Sequence, residues 1–165
     1  MVRLGLVCCL PLAAATLLPS APGTAPSQPL PFSHKQHAAE KIQCSVCHEM
    51  PGSGERAGLP STELCMACHR QVKKESPAIR RLAEYHQKQE AVPWTRIYQL
   101  PDFVFFSHAR HLKGVKGAVG CDTCHGPVEK RQLLWQEKPI SMAACMDCHR
   151  LKRASIACHL CHIVK

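Results

Sequence analysis

Five times in 165 residues the chain repeats Cys-x-x-Cys-His: CSVCH at 44–48, CMACH at 65–69, CDTCH at 121–125, CMDCH at 145–149 and CHLCH at 158–162. Ten of the 12 cysteines belong to these motifs, and the other two, Cys8 and Cys9, lie in the N-terminal stretch. Positions i, i+3 and i+4 of a helical turn share one face, so each motif presents two thiols and an imidazole together. A chain of this length has room for one modest domain. An aromatic content of 5% leaves little material for an ordinary core, so something other than side chains must fill the interior.

Cys-x-x-Cys-His is the attachment sequence for c-type haem. The two thiols form thioethers to the haem vinyl groups while the imidazole reaches the iron. The expected thioether residues are Cys44 and Cys47, Cys65 and Cys68, Cys121 and Cys124, Cys145 and Cys148, and Cys158 and Cys161. His48, His69, His125, His149 and His162 are the proximal ligands, and the cofactor is five covalently bound haem c. Zinc ribbons use cysteine pairs in twos and need no histidine after each second thiol. A disulfide framework has no use for the histidines.

The chain also carries an internal duplication. FSHKQH at 32–37 precedes CSVCH by six residues, and CMACHR follows sixteen residues later; FSHARH at 106–111 precedes CDTCH by nine, and CMDCHR follows nineteen later. Eleven histidines are present; five are proximal, leaving His34, His37, His86, His108, His111 and His159. His159 sits between the two cysteines of the last motif, poorly placed to fold over its own iron. Five candidates then remain for five distal positions: His34, His37, His86, His108 and His111. Ser33 and Ser107 suit N-caps of short helical turns. On such a turn, histidines three apart reach toward two different haems. In SPAIRRLAEYHQKQE, Ser76 suits an N-cap and Pro77 a first helical position. Ile79, Leu82, Ala83 and His86 then recur on one face, with Arg80, Arg81, Glu84, Gln87 and Lys88 toward water. Met50 and Met142 are the alternative distal ligands outside the motifs.

The first 27 residues read as an export signal, with Arg3, an apolar run from Leu4 to Leu18 and then small residues and prolines. That run is short for a membrane span, which takes about 20 apolar residues. The expected location is the periplasm, with retention of the leader as an uncleaved membrane anchor as the alternative. The formal charge of +9 does not indicate nucleic acid, because Lys and Arg are scattered without an aromatic-interleaved basic strip. Each ferric haem held by two imidazoles adds about +1 at iron and about −2 from its propionates. Five of them take +9 to about +4, and full reduction to about −1.

The Phe-x-His-x-x-His segments ahead of the haem motifs resemble the class III multihaem cytochromes c, the c3/c7-type family, over nearly all of the chain from Pro31 to His162. The resemblance implies that His34 and His108 each cap the haem of the motif that follows, whereas His37 and His111 cross to others. PWTRIYQLPDFVFFSHARH, CDTCHGPV and SMAACMDCHR are also similar to the pentahaem subunits of alternative complex III, a quinol-oxidising assembly, and their free-standing relatives. Tyr98 stands where those subunits often carry His, which favours a soluble relative with His86 filling the place.

The expected fold is mostly irregular with short α-helices and little or no sheet, a compact multihaem cytochrome c wrapped around five covalent haems. The expected organisation is a signal at 1–27 and a haem domain at 28–165. Half-repeats at 32–70 and 105–150 and a C-terminal motif at 158–162 make up that domain. The expected function is electron transfer through bis-histidine haems in a respiratory chain, with redox proteins as partners and neither nucleic acid nor a small-molecule substrate. Two alternatives are a multihaem reductase with one open iron and a haem-bearing subunit of a membrane quinol-oxidising complex.

Overall fold

The computed structural model describes Gly23 and residues 25–50, 56–112 and 119–162. The expected leader falls mostly outside them. Among the described residues seven short α-helices follow one another: α1 (His34–Ala39), α2 (Cys44–Cys47), α3 (Thr62–His69), α4 (Pro77–Gln87), α5 (His108–Leu112), α6 (Cys121–His125) and α7 (Met142–Leu151). Single 3-10 turns lie at Val128–Lys130 and Cys158–Leu160. The described residues contain no β-strand, only an isolated antiparallel bridge between Val104 and His162. Short helices in irregular chain are the architecture the motif density predicts.

Serine caps start four of the helices, each satisfying an amide that the first turn leaves without an intrahelical partner. Ser33 Oγ accepts from Gln36 N at 3.2 Å, and Ser107 Oγ accepts from Arg110 N at 3.3 Å, the two caps expected from the sequence. Ser61 and Ser141 do the same for α3 and α7, each at 3.2 Å. At α4, Pro77 occupies the first turn as expected, but Ser76 makes no side-chain cap bond. Past α1, α4 and α7, the left-handed residues Lys41, Gln89 and Arg153 turn the chain. Amides of Ile42, Glu90 and Ala154 then reach back to the carbonyls of His37, Tyr85 and His149, closing each C-terminus in a Schellman pattern.

The hydrophobic core is small. Leu30, Met66, Leu82 and Val92 are the buried hydrophobic residues among those described, with Ile79, Ala83, Tyr85 and Trp94 packed around them. They join α3 to α4, so the inward stripe expected on α4 is placed as predicted through Ile79, Leu82 and Ala83. Beyond residue 105 the described chain contributes no buried hydrophobic residue. No described helix is long and apolar enough to cross a membrane.

Polar contacts tie the segments together where the core does not. Helix α1 packs against the 3-10 turn of the second half, with Lys35 N donating to Arg131 O at 3.0 Å and Ser33 Oγ to Gln132 Oε1 at 2.8 Å. Gln28 and Thr95 exchange two hydrogen bonds of 2.9 and 3.0 Å, fixing the N-terminal stretch onto the bridge segment. The C-terminal motif is held at 103–105, where Phe105 N donates to Cys161 O at 2.8 Å.

Candidate haem sites

Both FSHxxH segments adopt the same local geometry. Phe32 meets His34 edge-on at 4.8 Å between centroids and stacks on His37 at 4.4 Å; Phe106 meets His108 at 4.8 Å and stacks on His111 at 4.4 Å. One phenyl ring thus wedges apart two imidazoles that a single helical turn brings together. His37 Nδ1 donates to Ser33 O at 2.9 Å, and His111 Nδ1 donates to Ser107 O at 2.8 Å. Carbonyl oxygens only accept, so the proton lies on Nδ1 and the lone pair on Nε2 is left for a metal.

Across from these turns stand four motif histidines. His34 and His48 lie 6.3 Å apart between ring centroids, His37 and His69 6.1 Å, His108 and His125 6.5 Å, and His111 and His149 6.1 Å. Two metal–imidazole bonds of about 2.0 Å, with about 1.15 Å from nitrogen to each ring centre, place centroids about 6.3 Å apart across one metal. The spacing in all four pairs therefore suits one iron shared between two imidazoles. Each i, i+3 turn serves two motifs: α1 faces those at 44–48 and 65–69, and α5 those at 121–125 and 145–149.

The motif histidines are themselves oriented by backbone carbonyls. His48 Nδ1 donates to Gly58 O at 2.9 Å, His69 to Val72 O at 3.0 Å, His149 to Ser155 O at 2.7 Å and His162 to Phe103 O at 3.2 Å. His125 is supported differently, by the edge of Tyr98 at 4.5 Å. Tyr98 Oη donates to His125 O at 3.5 Å and accepts from Glu137 N at 3.1 Å. Burial, then His48 and His37, pushes the His34 imidazole down to about 4. Burial, then His108 and His48, lowers His125 as well. Neutral imidazole is the state that donates a lone pair to a metal.

Around α6 the chain is arranged with little freedom. Gly126 follows His125 at φ +73, a left-handed conformation that favours glycine. A Cβ at this position would also lie 2.7 Å from Glu137 Oε2. Arg131 fixes that carboxylate with two hydrogen bonds, one of 2.9 Å, and places its guanidinium 4.9 Å over the Trp135 ring. Lys138 Nζ donates to Asp122 O and Thr123 O at 3.0 and 2.9 Å, satisfying carbonyls at the end of α6.

All ten motif cysteines are free thiols, and no three described His, Cys, Asp or Glu side chains form a group able to hold a metal as a zinc site does. The thiols are available for thioether formation, and their neighbours order the motifs in space. Burial and then the Cys47 thiol push Cys65 up; burial and then Cys44 push Cys121 up. Burial and then Cys148 raise Cys124, and burial followed by Cys161, Cys124 and Cys148 raises Cys145. Cys65 thus lies near Cys47, Cys121 near Cys44, Cys124 near Cys148, and Cys145 near Cys161.

One expected ligand, His86, and the histidine set aside in the sequence, His159, are placed apart from this pattern. His86 lies on α4 facing α3, its Nε2 3.4 Å from Glu63 Oε2 and 3.4 Å from Arg70 Nη2. His159 is an exposed residue of the Cys158–Leu160 turn. The orienting roles of Phe32, Phe106 and Tyr98 were not read from the sequence. The duplicated Phe at the head of each FSHxxH was the available signal for the first two; Tyr98 had none.

A model of the class III cytochrome c family matches residues 13–95. A model of cytochrome c7 and related cytochromes c matches residues 104–163. The multihaem cytochrome c subunit of menaquinone reductase from Nitratidesulfovibrio vulgaris is 33% identical over 160 residues, spanning 82% of this chain and 76% of the relative.

Proposed function

The chain is a multihaem c-type cytochrome belonging to the class III cytochrome c family, an electron-transfer protein, and from that premise we propose that it moves electrons along a row of five haems in the periplasm. Four of these are held between two histidines. When bound, haem supplies a one-electron ferric/ferrous couple whose potential the axial ligands tune. The cysteine pairs anchor each group covalently. Backbone carbonyls on Nδ1 hold the ligand rings in one tautomer and orientation, which limits rearrangement as charge changes. The observation that supports this reading most is the set of four imidazole pairs at 6.1–6.5 Å. An iron capped on both sides binds no substrate, which leaves outer-sphere transfer. Haems held by these cysteine pairs and histidines would pass electrons between neighbouring motifs, of which 44–48 lies beside 65–69 and 121–125 beside 145–149.

The named role of the relative, a subunit of a menaquinone reductase, favours a quinone-linked membrane complex as partner. That name concerns quinone reduction, the opposite direction to the quinol oxidation expected from the alternative complex III resemblance. The holoprotein, added oxidised to membranes of its own host supplied with menaquinol, should become reduced at a rate that depends on the quinol. Addition of menaquinone to the reduced protein tests the reverse direction. Exchange in neither direction overturns the quinone-linked reading. Co-purification with a membrane complex in mild detergent would mark a resident subunit, and its absence a diffusing carrier.

A further inference from the structure

Four motif histidines face a second imidazole, and His162 does not. All eleven histidines are among the described residues, so the set is complete. After the four pairs are made, only His86 and His159 remain as imidazoles for the fifth motif. His86 lies beside Glu63 and Arg70, which flank the motif at 65–69. The motif at 158–162 is seated instead against 103–105, where Phe105 N donates to Cys161 O at 2.8 Å and His162 Nδ1 to Phe103 O at 3.2 Å. His159 is tied between Cys158 and Cys161 on a one-turn helix, too close in the chain to cross its own porphyrin.

His162 is nonetheless prepared as a ligand. Its Nδ1 donates to Phe103 O at 3.2 Å, which leaves Nε2 for a metal. The ring recorded beside it is Phe103, 6.0 Å away between centroids and 29° from parallel, and a phenyl group has no lone pair to donate. Phe103 is 68% exposed and Leu160 46%, so this motif borders solvent.

Resting on the reading that every motif holds a haem, we infer that the fifth iron is bound by His162 alone and keeps its sixth position for a small exogenous ligand. In the ferrous state the matching class is a neutral, π-accepting diatomic molecule; in the ferric state it is water or a small anion. The row then has one end where electrons meet a coordinating molecule and four positions where they only pass.

Carbon monoxide added to the dithionite-reduced holoprotein should shift the absorbance of about one-fifth of its haem, the share of one site in five. Intact mass of the same sample counts the haems. Cys158→Ala combined with Cys161→Ala should lower the mass by one haem and abolish the shift, whereas His86→Ala should leave the shifted fraction unchanged. Five haems by mass with no shift would overturn the inference and leave the carrier reading standing. A shift that appears only in His86→Ala would make His86 the sixth ligand and overturn it too. Fewer than five haems by mass would overturn the reading on which it rests.

Discussion

Produced in cells that lack the machinery for attaching haem to Cys-x-x-Cys-His, the chain is expected to show no cooperative thermal transition and to be digested by protease at dilutions that spare the holoprotein. Its own side chains give little to hold it together. Among the described residues, four buried hydrophobic ones join α3 and α4, and none is buried beyond residue 105. The longest described helix, α4, has 11 residues, below the length at which isolated helices persist in water. No disulfide ties the motifs, since their ten cysteines are free. Covalent attachment at ten thiols and coordination by imidazoles would join segments far apart in sequence, as metals do in small domains. Circular dichroism melting of chains made with and without the maturation machinery checks this. A sigmoidal melt of the haem-free chain would show that the polypeptide core suffices.

His108→Met is expected to raise the potential of one haem by on the order of 0.1 V, a fraction of the roughly 0.8 V that axial ligands span. Thioether ligation favours the ferrous state relative to imidazole. His108 faces His125 at 6.5 Å with the rings 7° from parallel, and it lies on α5, which also carries His111. Cys121 lies near Cys44 and Cys124 near Cys148, so a raised potential at the motif 121–125 would create an electron trap between its neighbours. A spectroscopic redox titration should show about one-fifth of the amplitude displaced upward, and electron passage between the ends should slow. An unchanged titration curve would remove His108 from the ligand set.

Much of the helix pattern was legible because it rests on local chemistry. The serine within each FSHxxH segment and Pro77 at the head of α4 are cues that act within four residues, and the helices begin where they predict. The five attachment motifs are readable for the same reason, since their spacing is one helical turn. The pairing of His34 with His48 or His111 with His149 depends on how turns many residues apart meet; the family resemblance implied the first, and for His111 only that it crosses to another motif. His86 shows the limit of periodicity: its stripe mates are inward as expected, yet it ends one turn along at the rim of α3, between a carboxylate and a guanidinium. Counting five candidates for five places treated the histidines as interchangeable, while geometry distinguishes them. Tyr98 supports His125 through its ring edge and the carbonyl, a role with no sequence signature.

The claim on which the rest stands is that four pairs of imidazoles each hold one iron. Near-infrared magnetic circular dichroism of the ferric holoprotein, scaled to haem content, reads axial ligation directly. The account predicts bis-imidazole low-spin haem amounting to four per chain, from the pairs His34 and His48, His37 and His69, His108 and His125, and His111 and His149. A bis-imidazole content below four, or a methionine-ligated signal in its place, would contradict it.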